Sequence, residues 1–236
     1  MINLYFYPIE VIWQFYSRIR LMAVSDELQA SVGASHKQNN GDKQMIENQK
    51  GIIVTTDKIL FFDMDGTLVD TNLANFSAYK KAVDSVLQTD TNLVYNPEIR
   101  FNRSVLKSRF PHLTDKELEK VIQVKESLYD EFLNVTTLID ENVEVLLKYS
   151  KSNQAYLVTN CRKDRALKTL NHFGLIDKFT NVFYRKFDNN NKVNKFQNAL
   201  SILGVPPNIV IAFENEEIEI ADAKSAGITI INPVIV

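Results

Sequence analysis

The sequence predicts an α/β protein: a Rossmann-like parallel sheet with helices on both faces, plus an inserted small α-helical subdomain. Three observations carry this. Ile59–Phe62, Ala155–Val158 and residues 209–213 are apolar runs too short for amphipathic helices, and uniform enough to be strands buried on both faces. The stretches between them space their apolar residues at helical intervals. Each run also stops at polar or charged residues, which is where ligands bind in such sheets, because the loops leaving the strand ends converge there.

The chain has 236 residues, 45% hydrophobic and 24% charged, which suits one or two soluble domains with a sizeable core. A net charge of −2 gives no general case for binding nucleic acid, and no nucleic-acid partner is expected. Charge is unevenly placed: residues 151–210 carry ten Lys or Arg against three Asp or Glu, and residues 211–236 carry one against five. A basic stretch beside an acidic one suits a site that holds both a phosphate and a metal, although solvated helix faces produce the same pattern. The single cysteine, Cys161, excludes an internal disulfide framework and fits a reducing, cytoplasmic compartment.

Residues 1–57 read as an N-terminal extension. Met1 to Tyr16 is aromatic and apolar, but Pro8, Glu10 and Gln14 interrupt it and Arg18 and Arg20 follow it, the reverse of a secretory signal. It is also too short for a spanning helix, so no stable membrane insertion is expected. Ile12, Phe15, Tyr16, Ile19 and Met22 recur near helical spacing and suggest a helix over 9–28. Residues 31–49, rich in Asn, Gln, Ser, Lys and Gly, read as a flexible linker.

The first strand runs into Asp63-Met64-Asp65-Gly66-Thr67-Leu68-Val69-Asp70. Two aspartates one residue apart repel unless something positive lies between them, so the pair points to a divalent cation or a proton-transfer partnership. An Asp-Gly turn that merely ends a strand is the plain alternative. Leu73, Phe76, Tyr79, Val83, Val86 and Leu87 then mark a helix, and Thr114 with Glu117 forms a capping box for a second. Asp140 can cap a third, through Val143, Leu146 and Leu147. An ordinary crossover is much shorter than this, so residues 72–138 read as an inserted helical subdomain, with 58–71 and 139–236 forming the core.

At the end of the Ala155–Val158 strand come Thr159, Asn160 and Cys161. Asn160 can cap a helix striped with Ala166, Leu167, Leu170 and Phe173, and a helix N-terminus with a hydroxyl and an amide beside it is a ready anion site. Residues 182–184 read as a third strand. Lys192 follows a polar loop at the start of a helix that runs to Leu203-Gly204. The strand at 209–213 ends in Glu214-Asn215-Glu216-Glu217, and 228–231 makes a fifth strand.

These motifs, in this order, resemble those of the haloacid dehalogenase-like hydrolase superfamily. Asp63-Met64-Asp65-Gly66-Thr67 resembles its first motif, Tyr156 to Asn160 its second, Lys192 its third, and Phe213 to Ile228 its fourth; the helical insertion resembles a cap domain. The resemblance implies a Mg²⁺-dependent hydrolase of small phosphate monoesters, working through an aspartyl-phosphate, with a small phosphorylated metabolite as its partner. Asp63 would be the nucleophile. Asp65 would protonate the leaving alcohol and then activate water. Thr159 and Asn160 would grip the phosphoryl oxygens, and Lys192 would add fixed positive charge. Mg²⁺ would be held by Asp63, the Asp65 carbonyl, Glu214 and Asn215.

Two departures stand out. The family usually offers Asp where this chain has Asn215, and Asp or Gly where it has Glu219; Glu214, Glu216, Glu217 or Glu219 can make up the missing charge. Lys195, one helical turn from Lys192, competes for the third-motif role. A sugar-phosphate mutase on the same core and a non-catalytic binding protein remain the alternatives. A basic cluster of Arg100, Arg103, Lys107 and Arg109 in the insertion suits a second anionic group on the substrate, or a solvated face. The absence of a P-loop argues against an ATP-driven kinase, and His36, His112 and His172 have no metal-ligand spacing. Oligomeric state is not legible in the sequence.

Overall fold

A parallel sheet is assembled from the apolar runs because each can be covered on both sides. In the computed structural model, which describes residues 51–188 and 191–235, β1 (Ile59–Phe62) is the central strand, flanked by β4 (Ala155–Val158) and β8 (Val210–Phe213); β5 (Asn181–Phe183) and β9 (Ile230–Ile231) complete the order β5-β4-β1-β8-β9. All four pairings are parallel, with Phe62 opposite Leu157 on one side and Phe213 on the other. The family-like α/β architecture is therefore as the sequence predicts. The expected helix over 9–28 and linker over 31–49 lie outside the described residues. Of the expected extension, Ile52 bridges Ile235, and the Asn153 amide donates to the Thr55 and Lys58 carbonyls.

The pleat sorts the core into two layers. Leu60 and Phe62 pack with α4 (Asp140–Tyr149) and α5 (Lys163–His172), through Val143, Leu146, Ala166 and Leu170. Ile59 and Phe61 pack on the opposite face with α6 (Lys195–Leu203) and α7 (Glu217–Ser225), through Phe196, Ala199, Leu200 and Ala223. Both faces of the sheet are dry, which is why its strands show no polar alternation.

The segment between Asp70 and Thr137 folds over its own core. It contains α1 (Asn72–Leu87), α2 (Arg103–Arg109), α3 (Asp115–Leu128) and a 3-10 stretch, Tyr129–Val135. Phe76, Tyr79, Val83, Phe101, Leu106, Leu118 and Val121 form this separate cluster. The Thr114 and Glu117 capping box is present, both partners bonding reciprocally. At its base, β2 (Val69–Asp70) pairs antiparallel with β3 (Thr137–Leu138), a two-residue ribbon too short to show in sequence periodicity.

Three local expectations are corrected. Asp140 is the first residue of α4 rather than its cap, which is Ile139 without a side-chain bond. Asn160 does not cap α5 either: that helix begins at Lys163, after Arg162, and the Asn160 side chain instead donates to Glu219. Lys192 does not start a helix. It lies on β7 (Asn191–Lys192), paired with β6 (Phe187–Asp188), and α6 begins at Lys195 behind Asn194, whose side chain accepts from the Phe196 and Gln197 N–H groups.

Candidate active site

The alternation that sorts the core also aims the first polar residues beyond it. Asp63 continues the Ile59 and Phe61 face of β1, and Glu214 continues the Val210 and Ala212 face of β8, so both carboxylates turn toward α6 and α7. Lys195, the first residue of α6, meets them there. Its Nζ lies 2.7 Å from Asp63 Oδ1, 2.6 Å from Glu214 Oε2 and 3.6 Å from Glu219 Oε2. Lys195 thus takes the position that the sequence reading preferred for Lys192, because the hairpin of β6 and β7 shifts the helix start by three residues.

Burial works against the charge on Lys195, but Asp63, then Glu214 and Glu219, hold its ammonium well above the ordinary lysine range. Glu214 shows the opposite balance: burial, then the neighbouring Asp63 carboxylate, push it up to about 7, against the pull of Lys195. Its Oε1 accepts the Asn215 and Glu216 backbone N–H groups.

Asp65 has different company. Its Oδ2 accepts from Arg165 at 2.8 Å and lies 4.0 Å from Arg100, while its Oδ1 accepts from the Thr71 hydroxyl at 2.7 Å. Burial raises the carboxyl's pKa, but Arg165, then Arg100 and Thr71, hold it below the usual carboxylate range. Arg165 also donates to the Asn75 side-chain oxygen at 2.9 Å and to the Cys161 sulfur at 2.8 Å, and sits over the Tyr129 ring. Burial pushes the Cys161 thiol up to about 12, so it is a packing group and hydrogen-bond acceptor rather than a nucleophile.

These groups line one small cleft of about 90 Å³, room for a phosphate group or several waters. Thr159 and Asn160 reach it from the end of β4. Thr159 is buried and its hydroxyl accepts the Cys161 N–H. Asn160 donates to Glu219 Oε2 at 2.8 Å, and its own carbonyl oxygen is buried with no hydrogen-bond partner among the described residues. Arg100 comes from the helical segment and pairs with Glu216 across the mouth. Arg103 does not join it; it pairs with Glu119 at 3.2 Å, away from the cleft. Arg165 carried no signal in the sequence, since its partner Asp65 is 100 residues away.

The oxygen donors on the adjoining ends of β1 and β8 are of the hard type that Mg²⁺ prefers. Asn215 supplies an amide where a carboxylate would add charge. It passes over Gly66 so closely that a Cβ there would lie 2.5 Å from the Asn215 nitrogen, and its Oδ1 accepts the Thr67 hydroxyl at 3.1 Å. Among the described residues no three Asp, Glu, His or Cys side chains form a ready metal cluster. The donor set fits the ion in kind, with Asn215 able to contribute an oxygen but no charge.

The sequence model of the haloacid dehalogenase-like hydrolases matches residues 60–232. No curated protein matches the chain significantly. Among solved structures, a haloacid dehalogenase-like hydrolase family protein from Streptococcus pneumoniae is 19% identical with a TM-score of 0.59, over 74% of this chain and 84% of that one. CbbY from Rhodobacter sphaeroides, solved with phosphate, is 17% identical with a TM-score of 0.60, over 75% and 86%. A HAD-superfamily hydrolase of subfamily IA from Geobacter sulfurreducens is 19% identical with a TM-score of 0.55, over 78% and 89%. With the family model spanning the sheet, the helical segment and every residue of the cleft, the chain belongs to the haloacid dehalogenase-like hydrolases.

Proposed function

We propose that the protein hydrolyses small phosphate monoesters through an aspartyl-phosphate on Asp63, with Mg²⁺ as cofactor. The observation that carries this reading is the placement of a buried ammonium, Lys195, against Asp63 at the end of the central strand, with a second aspartate two residues on. Membership of a hydrolase family supports it.

A free Asp63 oxygen would attack phosphorus as the bond to the leaving oxygen breaks, and Lys195 would stabilise the charge spread over the phosphoryl oxygens. Thr159 and Asn160 would orient that group. Asp65 would give its proton to the leaving oxygen, then take one from the water that attacks the phosphoryl-enzyme, releasing phosphate and restoring Asp63. Arg165 favours the carboxylate form of Asp65 and so suits the second half of this cycle; the first requires Asp65 to turn from Arg165 toward the substrate. Asp63, the Asp65 carbonyl, Asn215 and Glu214 would hold Mg²⁺, which when bound would neutralise phosphoryl charge. The helical segment would act as a cap, and Arg100, which it brings to the cleft, would contact the rest of the substrate.

Release of phosphate from p-nitrophenyl phosphate and a panel of small esters, with Mg²⁺ or chelator, tests this reading. Turnover should require the metal and vanish in Asp63→Asn. A second reading, a non-catalytic binding protein, is favoured by Asn215 and by the carboxylates crowding Lys195; no turnover and no Mg²⁺ binding would decide for it.

A further inference from the structure

Two carboxylates of the cleft serve as neither nucleophile, acid/base nor proposed cation ligand: Glu216 pairs with Arg100 at the mouth, and Glu219 lies against the phosphoryl-binding groups. Glu219, on the first turn of α7, is buried, with only 7% of its surface exposed. Its Oε2 accepts the Asn160 amide at 2.8 Å and lies 3.6 Å from the Lys195 ammonium. On the proposed reading of the site, those are two of the groups that would grip a phosphoryl oxygen. Five carboxylates (Asp63, Asp65, Glu214, Glu216 and Glu219) line the cleft against three cations (Arg100, Arg165 and Lys195), so the side chains alone offer an entering anion no excess of positive charge.

We propose that Glu219 is an internal competitor for the phosphoryl group, its carboxylate resting on the same donors and yielding only when a substrate displaces it. The inference rests on Asn160 and Lys195 being phosphate ligands. Lys195 already serves Asp63 and Glu214, and two anions cannot share its remaining side cheaply inside a buried site. Phosphate must therefore displace Glu219 from these contacts before it can use them. An ester adds binding from the rest of its structure, with Arg100 at the mouth available to it. Glu219 in this sense sets affinity: it weakens the grip on the phosphoryl group of ester and inorganic phosphate alike, so the product, which has no further contacts, is held weakly.

Calorimetric binding of inorganic phosphate to the full chain, in Mg²⁺-containing buffer, tests this in the parent protein and in Glu219→Gln and Glu219→Ala, with the melting temperature of each as a folding control. Gln keeps an oxygen for Asn160 and nearly the same shape, so it reports the charge; Ala reports charge and space together. Removing one unit charge a few ångströms from the bound anion should tighten phosphate binding at least about tenfold in both folded variants. Equal or weaker binding in the folded Gln variant would overturn the proposal. The binding readout needs no turnover: tighter phosphate binding without hydrolysis by any variant would sink the phosphatase reading and leave this inference standing, whereas Mg²⁺-dependent turnover with unchanged phosphate affinity would do the reverse.

Discussion

Asp63 and Asp65 are two residues apart, yet their surroundings are nearly opposite. Asp63 shares a single ammonium with Glu214 and Glu219, in a region where carboxylates outnumber cations. Asp65 is met by Arg165, with Arg100 at 4.0 Å and buried Lys125 close enough to lower its pKa further, so the charges that act on it are cationic. The difference follows from direction. Asp63 extends the β1 face that packs on α6 and α7, whereas Asp65 sits in the tight loop beyond, facing α5 and the helical segment. The carboxyl end of a central strand can thus give two identical side chains, two residues apart, different chemistry without changing either residue.

The largest effect should come from removing the cation on the Asp63 side. Lys195→Met leaves Asp63 and Glu214 without their shared partner, and steady-state hydrolysis should fall about 10²- to 10³-fold. Glu214, already raised to about 7, should then rise further. A raised carboxyl binds more protons in the folded state, so this contribution to stability is present at low pH and is lost as pH rises through the folded pKa. Thermal melts from pH 5 to pH 8 should show the variant losing more stability across that range than the parent.

On the Asp65 side, Arg165→Met strands a buried carboxylate, a loss on the order of 3 kcal/mol in urea denaturation. The Asp65 pKa should rise without its main cationic neighbour. Where proton donation limits the rate, the alkaline limb of the pH–rate profile should then move to higher pH. An unmoved limb would mean that Asp65 is not the group being read.

The buried cation nearest this side should also show in stability. Lys125 is buried between the Tyr79 and Tyr129 rings, its ammonium 5.2 Å and 5.0 Å from their centroids, and burial lowers its pKa to about 8. Between that value and its unfolded pKa the unfolded chain binds more protons, so folding stability rises with pH. The parent should gain about 2 kcal/mol between pH 7.5 and 9.5 relative to Lys125→Met, measured by chemical denaturation at each pH.

The smallest change concerns the loop that separates the two environments. Gly66 adopts φ +85° with Asn215 packed over it, so Gly66→Ala meets both backbone strain and a collision with the Asn215 amide. A loss of about 1 to 2 kcal/mol is expected, together with a higher Mg²⁺ concentration for half-maximal activity as Asn215 is pushed aside. Equal stability would show that the loop has room to relax.

The parts of the fold legible in the sequence were those with an internal signature. The short apolar runs of β1, β4 and β8 announce strands buried on both faces, and the Thr114 and Glu117 box announces α3 through a bond between residues three apart. Two-residue ribbons such as β2 with β3 leave no such trace. Asn160 and Asp140 look like caps because their residue types suit caps; Asn160 instead bonds Glu219, 59 residues away, a partner that only the folded sheet reveals. Asn194 is the signal that places Lys195 rather than Lys192, since its side chain caps the helix that Lys195 begins. Arg165 could not be found from sequence, because its role depends on how α5 and the Asp65 loop meet.

The central claim, that Asp63 becomes covalently phosphorylated, is tested most directly by rapid acid quench during turnover of a small phosphate ester, followed by peptide mass spectrometry. The account predicts a phosphoryl group on the peptide containing Asp63 that hydroxylamine removes, and none in Asp63→Asn. Turnover by the parent chain with no phosphoryl group on Asp63 at any time point would contradict it and assign the attack on phosphorus directly to water.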